Sequence, residues 1–117
     1  LEIKPKSGIY DFNAKYERND TVYLVGPDLP PGVEQRVRSQ AEDLAKAMAV
    51  RHLARVDFLL DDNGTPWLLE INTMPGFTEH SLLPMAAKDA GLDFAALAER
   101  LVELALRDAG RDAAASN

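Results

Sequence analysis

The 117-residue sequence contains no cysteine and only two histidines. The lack of cysteine excludes a disulfide framework, a thiolate zinc site and a cysteine nucleophile, and it is compatible with the reducing cytoplasm, where we expect the protein. No apolar run approaches the ~20 residues that a membrane span needs, and the first residues do not resemble a signal peptide. We therefore expect no membrane partner.

Positive charge is scarce as well. Thirteen Lys and Arg residues stand against nineteen Asp and Glu, which gives a formal net charge of −6. Such a balance repels a polyanion wherever no local basic cluster opposes it, so we expect no nucleic-acid partner. The length allows one domain at most.

The distribution of apolar residues predicts an α+β chain with an antiparallel sheet and flanking helices. Residues 1–10 and 21–25 read as short strands, and the polar segment between them, residues 11–20, reads as a loop. Apolar residues at spacings of three and four predict an amphipathic helix from Val33. Pro84 suits the first turn of a second helix, which Gly91 closes.

The last helix is predicted to begin at Asp93, a residue type that caps helix N-termini. Residues 111–117, after Gly110, are expected to form a disordered tail. Residues 1–110 are then one structural unit.

A β-hairpin is the strongest local prediction. Two strand-like runs, residues 54–60 and 66–72, flank Asn63-Gly64, a pair typical of two-residue hairpin turns. With Asn63 and Gly64 at the two central turn positions, Asp57 lies opposite Glu70. A four-residue loop would move the register by two and preserve the same faces, whereas a slip of one residue would scatter them.

This register predicts a polar face and an apolar face. The polar side chains that share one face are Arg55, Asp57, Glu70 and Asn72, and Leu59 and Leu68 interrupt that face. Trp67 and Leu69 are expected on the opposite, apolar face, because side chains alternate along a strand.

Two facing carboxylates, Asp57 and Glu70, need an explanation. At an effective dielectric near 20, their repulsion is on the order of 3 kcal/mol. A divalent cation would remove it, and carboxylate and amide oxygens suit Mg²⁺ or Mn²⁺ better than Zn²⁺. Two such ions about 4 Å apart would fit the separation of the carboxylates. Two alternatives stay open: Arg55 neutralises both acids in a structural ion cluster, or the face is merely solvated.

At these residues the sequence resembles the D-alanine-D-alanine ligases, which are ATP-grasp carboxylate-amine ligases. The matching stretches are residues 10–16, 54–58 and 69–82. The resemblance implies the C-terminal part of an ATP-grasp fold, so that the N-terminal and central domains of the same enzyme are expected as partners and this segment alone is expected to be inactive. Many relatives have a glycine where this chain has residues 48–52, which affects the local turn.

The resemblance also implies a role for each site residue. Asp57, Glu70 and Asn72 would hold two Mg²⁺ or Mn²⁺ ions that bridge the phosphates of ATP. Arg55 would lie beside the transferred phosphoryl group and the developing oxyanion, with the Gly76 backbone amide as a second donor.

Further residues match family positions around the nucleotide and substrate. Lys15 and Tyr16 lie in the loop that closes over the nucleotide in the family, with Lys15 at the γ-phosphate and Tyr16 in a hydrogen-bond set at the substrate. One of Leu68 and Leu69 would cover the adenine, and we assign Leu69; the alternative is that both are core residues. Ser81 and Leu82 would receive the carboxylate of the second D-alanine.

The reaction implied is the ATP-dependent ligation of two D-alanines for peptidoglycan precursor synthesis, in a homodimer. ATP phosphorylates one D-alanine carboxylate, and the amine of the second D-alanine attacks the acyl phosphate. Tyr16 favours the dipeptide over a D-lactate depsipeptide. The alternatives are another ATP-grasp ligase, such as a D-alanine-D-lactate ligase, and a non-catalytic module that binds a divalent cation or a protein.

Overall fold

The structure is a computed structural model that describes residues 1–4, 22–24 and 26–116. It confirms the α+β class. The elements are, in chain order, β1 Glu2–Lys4, β2 Val22–Leu24, α1 Val33–Ala47, β3 Arg55–Leu60, β4 Pro66–Asn72, α2 Leu82–Asp89 and α3 Phe94–Ala115. Among the described residues the strands form two antiparallel pairs, β1 with β2 and β3 with β4.

Helix α1 supports the β3–β4 hairpin from its N-terminal end. Val33, the first residue of α1, is 1% exposed. A Cβ atom built on Gly64, in the hairpin loop, would lie 3.0 Å from Cγ2 of Val33. Arg36 Nη2 donates to the carbonyl oxygen of Gly64 at 3.0 Å. This contact fixes the position of the hairpin loop.

The C-terminus of α1 turns sharply into the segment that leads to β3. The backbone N–H of Val50 donates to the carbonyl of Ala45, and that of Ala49 to the carbonyl of Lys46. This is the pattern of a Schellman motif, whose central position takes a left-handed backbone and is usually glycine. Here Ala49 occupies it with φ of 52°. The turn predicted to be affected by the missing glycine therefore forms with a strained alanine.

Helix α2 ends, and helix α3 begins, where their capping residues predict. Pro84 lies in the first turn of α2, and Gly91 follows the helix with φ of 95°. The N–H groups of Gly91 and Leu92 donate to carbonyls of the last turn of α2, again as in a Schellman motif. Asp93 caps α3, since its Oδ1 accepts from the Ala96 N–H at 2.8 Å.

The C-terminal end of α3 differs from the prediction of a disordered segment over residues 111–117. The helix continues through Ala115, five residues beyond Gly110. A glycine inside a helix costs roughly 1 kcal/mol relative to alanine, which the good helix formers around it offset. Gly110 therefore does not end the helix.

The apolar core of the described residues is small. Its buried hydrophobic side chains are Val33 and Leu97, which is 8% exposed. The radius of gyration is 16.5 Å, whereas a compact chain of this length has one of about 13 Å. Much apolar surface on the hairpin consequently stays open. No helix in the described ranges is long and apolar enough to span a bilayer.

Candidate functional site

The hairpin loop has three residues, not two. Asp61 N–H donates to the Thr65 carbonyl at 3.1 Å, and Gly64 N–H donates to the Asp61 carbonyl at 2.9 Å. Gly64 has φ of 72°, as in three-residue hairpin loops that end in a left-handed glycine. The prediction that Asn63 and Gly64 are the two central turn residues was wrong.

The Asp61 side chain accounts for this loop. Its Oδ1 accepts from the N–H groups of Asn63 and Thr65 at 2.9 and 2.8 Å. Its Oδ2 accepts from the indole Nε1 of Trp67 at 3.0 Å. The bond from the indole and those from the loop amides lower the pKa of Asp61. The prediction from Asn63-Gly64 did not take the Asp61 carboxylate into account, and the hydrogen bonds of that carboxylate favour the three-residue loop.

A β-bulge in β4 offsets the extra loop residue. Next to the loop, Leu60 pairs with Pro66 and Phe58 with Leu68, a register one residue away from the prediction. The register shifts between Asp57 and Phe58, so Leu69 has no partner across the ladder. Beyond the bulge, the predicted pairs are found: Asp57 with Glu70, and Arg55 with Asn72.

The bulge changes which apolar residues lie beside the polar side chains. Trp67 pairs with Leu59 and therefore shares the face of Asp57, while Leu68 pairs with Phe58 on the opposite face. The predicted faces of Trp67 and Leu68 were thus wrong. Leu59 and Trp67 are both more than half exposed, so open apolar surface adjoins the polar face.

Arg55 joins the two carboxylates. Its Nε and Nη2 donate to Oδ1 and Oδ2 of Asp57 at 2.9 and 3.1 Å, and Nη2 also donates to Oε1 of Glu70 at 3.1 Å. The side chains of Arg55 and Asp57 are 25% and 29% exposed, whereas that of Glu70 is 54% exposed. Hydrogen bonding to Asp57 is the main cause that raises the pKa of Arg55.

Asn72 ends β4 and begins the following loop. Its Oδ1 accepts from the Met74 N–H at 2.9 Å. The polar face therefore offers two carboxylates and one amide oxygen, a hard-oxygen set that fits Mg²⁺ or Mn²⁺ when water and phosphate complete the coordination. Within the described ranges, no group of three or more His, Asp or Glu side chains is placed to hold a metal. Any ion here would depend on ligands beyond Asp57 and Glu70.

The loop after β4 is held by Ser81, the N-cap residue of α2. Ser81 makes no side-chain bond that caps the helix. Its Oγ accepts from the Thr78 N–H at 3.0 Å and lies 2.8 Å from Thr78 Oγ1. A Cβ on Gly76 would lie 3.2 Å from Ser81 Oγ. The loop thus brings Gly76 close to Ser81, directly before α2 begins at Leu82. The Thr-x-x-Ser spacing could have predicted the contact between Thr78 and Ser81, and we had not used it.

Two predicted site residues, Lys15 and Tyr16, lie outside the residues that the structure describes. The structure therefore brings the predicted residues together in two groups, one on a face of the hairpin and one at the loop after β4. Sequence reasoning did not find Asp61, whose carboxylate fixes both the loop and the Trp67 indole.

Comparison with known proteins identifies relatives along most of the chain. A family model described as D-ala D-ala ligase C-terminus matches residues 1–103. The chain is 44% identical over 108 residues to the D-alanine--D-alanine ligase of Dechloromonas aromatica, with 92% of this chain and 36% of the relative covered. It is 44% identical over 106 residues to that of Hydrogenovibrio crunogenus, covering 91% of this chain and 34% of the relative.

Comparison with solved structures points to the same family. The D-alanine--D-alanine ligase of Bacillus anthracis superposes with a TM-score of 0.77 at 34% identity, over 94% of this chain and 36% of that one. The same enzyme complexed with ATP gives a TM-score of 0.76. The chain spans about a third of the length of these relatives. By sequence and by fold, the chain belongs to the D-alanine-D-alanine ligase C-terminal family, which confirms the resemblance and the ATP-grasp architecture.

Proposed function

We propose that this chain is the C-terminal part of an ATP- and Mg²⁺-dependent D-alanine-D-alanine ligase that serves peptidoglycan precursor synthesis. Family membership supports this proposal, and the observation that carries it is the register that sets Asp57 against Glu70 and Arg55 against Asn72. Residues 1–110 would complete an ATP-grasp catalytic domain with the N-terminal and central regions of the same enzyme, as a cytoplasmic homodimer.

In this proposal Asp57, Glu70 and Asn72 hold one or two Mg²⁺ or Mn²⁺ ions. Their oxygens are of the hard type that these ions prefer, and the Glu70 side chain is accessible, being 54% exposed. The bound ion would neutralise charge on the nucleotide phosphates during phosphoryl transfer. Leu69, unpaired at the bulge and 63% exposed, would lie against the adenine.

Arg55 and the loop after β4 would handle charge on the substrate. A guanidinium presents several N–H donors in a planar fork, which suits phosphoryl and carboxylate oxygens. Arg55 and the Gly76 N–H would stabilise oxygen as negative charge develops, first on the transferred phosphoryl group and then at the attacked carbonyl. Ser81 and the start of α2 at Leu82 would bind the carboxylate of the second D-alanine.

Lys15 and Tyr16 complete the proposed site. Lys15 would contact the γ-phosphate, and Tyr16 would join the hydrogen bonds at the substrate. A loop that closes over the nucleotide excludes water from the acyl phosphate, which water would otherwise hydrolyse. Tyr16 makes D-alanine the proposed second substrate.

The proposal is tested by Asp57→Asn and Glu70→Gln in the complete enzyme. Each change keeps the shape of the side chain and removes one negative charge from the metal-binding face. We expect kcat/KM for phosphate release with D-alanine to fall by at least roughly 100-fold, with circular dichroism unchanged. Asp62→Asn, an acid in the exposed hairpin loop, is the matched control and should keep its activity.

Two results would reject the proposal. The first is near-normal turnover of both variants at saturating Mg²⁺. The second is a wild-type enzyme that releases phosphate with D-lactate or an L-amino acid but not with D-alanine, which would leave a different ATP-grasp ligase.

A further inference from the structure

The guanidinium of Arg55 occupies the carboxylates on which the proposed metal site depends. It donates to both oxygens of Asp57 and to Oε1 of Glu70, at 2.9 to 3.1 Å. Three of the four oxygens of these two carboxylates are therefore bonded to one side chain. The fourth, Oε2 of Glu70, belongs to the more exposed acid of the pair.

This arrangement has a clear electrostatic basis. Asp57 and Glu70 face each other across the ladder, and without a cation their repulsion would weaken the hairpin. One guanidinium offsets one of the two negative charges and satisfies several lone pairs at once. An arginine guanidinium does not lose its proton in proteins, so this positive charge is permanent.

A permanent positive charge at this place opposes a second cation. A divalent ion coordinated by Asp57 or Glu70 would lie within a few ångströms of the guanidinium. At about 5 Å, a unit charge and a divalent charge repel enough to change affinity by about tenfold even at the dielectric of water. The repulsion falls only if Arg55 leaves the carboxylates or if a new anion reaches the guanidinium.

We propose that Arg55 is a built-in competitor for the metal: it pairs with Asp57 and Glu70 in the free protein and releases them when nucleotide phosphates offer the guanidinium another partner. The inference rests on the proposed function. Its consequence is that Arg55 couples the two ligands, because nucleotide strengthens metal binding by drawing a competing cation away. Linkage requires the metal to strengthen nucleotide binding by the same factor.

The experiment measures binding of Mn²⁺ alone to the complete enzyme, by the electron paramagnetic resonance signal of free Mn²⁺. Arg55→Gln removes the charge, and Arg55→Lys keeps it while losing the planar fork. Arg51→Gln is the matched control, because it removes one positive charge from an exposed arginine that lies 3.5 Å from Asp108 on α3. Each protein is then titrated again with a non-hydrolysable ATP analogue present.

We expect Arg55→Gln to bind Mn²⁺ alone at least about tenfold more tightly than the wild type. Arg55→Lys and Arg51→Gln should stay within about threefold of it. The factor by which the ATP analogue strengthens Mn²⁺ binding should shrink in Arg55→Gln. A purely structural arginine would not produce tighter binding, since its loss would only disorder the two acids.

Unchanged or weaker Mn²⁺ binding in Arg55→Gln overturns the inference, while wild-type binding of Mn²⁺ together with the analogue still supports the proposed function. If no protein binds Mn²⁺ even with the analogue, the proposed function falls and the inference falls with it. Arg55→Lys serves as the test if Arg55→Gln fails to fold. If Arg55→Lys bound Mn²⁺ much more tightly than the wild type, the planar shape of the guanidinium and not its charge would exclude the metal. That result would contradict the competition between charges proposed here.

Discussion

The β3–β4 hairpin and the α2–α3 pair differ in which interactions determine their structure. In α2–α3, the end of α2 and the start of α3 are set by residues that bond within a few positions of themselves, such as Asp93 to Ala96. In the hairpin, two separate irregularities decide the result: a three-residue loop moves the register by one, and the bulge at Leu69 moves it back. The helices are fixed locally, whereas the site depends on two features that compensate.

This difference shows how the proposed site tolerates an irregular hairpin. Asp57 and Glu70 lie on the side of the bulge away from the loop, where the strands pair in the predicted register. Between the loop and the bulge, the strands pair one residue away from the predicted register, and Trp67 consequently lies on the face of Leu59. If the comparison is right, a change at Gly64, where the hairpin loop packs against Val33 of α1, should cost more than changes at helix ends.

The largest stability effect is expected at Gly64. Gly64→Ala would place a Cβ 3.0 Å from Val33 and force a left-handed alanine, which together should cost about 2–3 kcal/mol. Gly91→Ala is the control, because Gly91 is also left-handed but nothing lies within 4 Å of its Cβ position; it should cost roughly 1 kcal/mol. Native-state hydrogen exchange of the complete protein measures both, and equal costs would remove Val33 from the explanation.

A smaller loss is expected from Asp93→Ala at the start of α3. The variant loses the bond to the Ala96 N–H, and such caps contribute about 1 kcal/mol. Hydrogen exchange in the first turn of α3 should accelerate. Glu99→Ala, an exposed change further along the same helix, should alter stability by less than about 0.5 kcal/mol. An equal effect of the two substitutions would show that Asp93 does not cap the helix.

A modest gain is expected from Ala49→Gly. Ala49 has φ of 52°, and glycine relieves that strain, so stability should rise by about 0.5–1 kcal/mol. The same change at Ala47, which is helical, should instead lower stability by about 0.5–1 kcal/mol. Thermal unfolding of the two variants checks the opposite signs; a loss in both would mean that the turn after α1 is not strained.

The smallest effect concerns Asp61 and pH. The pKa of Asp61 is lower in the folded protein than its ordinary value of 3.8, so its contribution to stability is present above that value and is lost as pH falls through the folded pKa. Asp61→Ala should therefore be less stable than the wild type at pH 7, and the difference should shrink below pH of about 4. A difference that stays constant with pH would assign the effect to shape, not to charge.

Sequence reasoning was correct where a single residue determines the boundary of a helix. Asp93, Gly91 and the spacing from Val33 gave the starts of α1 and α3 and the end of α2. The pairing of Asp57 with Glu70 was predicted from a two-residue turn that does not form, and it is found because the bulge at Leu69 offsets the extra loop residue. Sequence reasoning failed at the loop and at Trp67, because the choice between loop lengths depends on the Asp61 carboxylate and on Val33 packing against Gly64. It also could not foresee that Gly110 lies inside a helix, since propensity alone does not decide a helix end.

The central claim is that Asp57 and Glu70 bind the metal that accompanies the nucleotide. It is tested most directly by crystals of the complete enzyme grown with Mn²⁺ and a non-hydrolysable ATP analogue, using anomalous scattering from manganese. The account predicts a manganese peak in contact with the carboxylates of Asp57 and Glu70, and Arg55 no longer bonded to both acids. A nucleotide bound with its manganese elsewhere, and Arg55 still paired with Asp57 and Glu70, would contradict it.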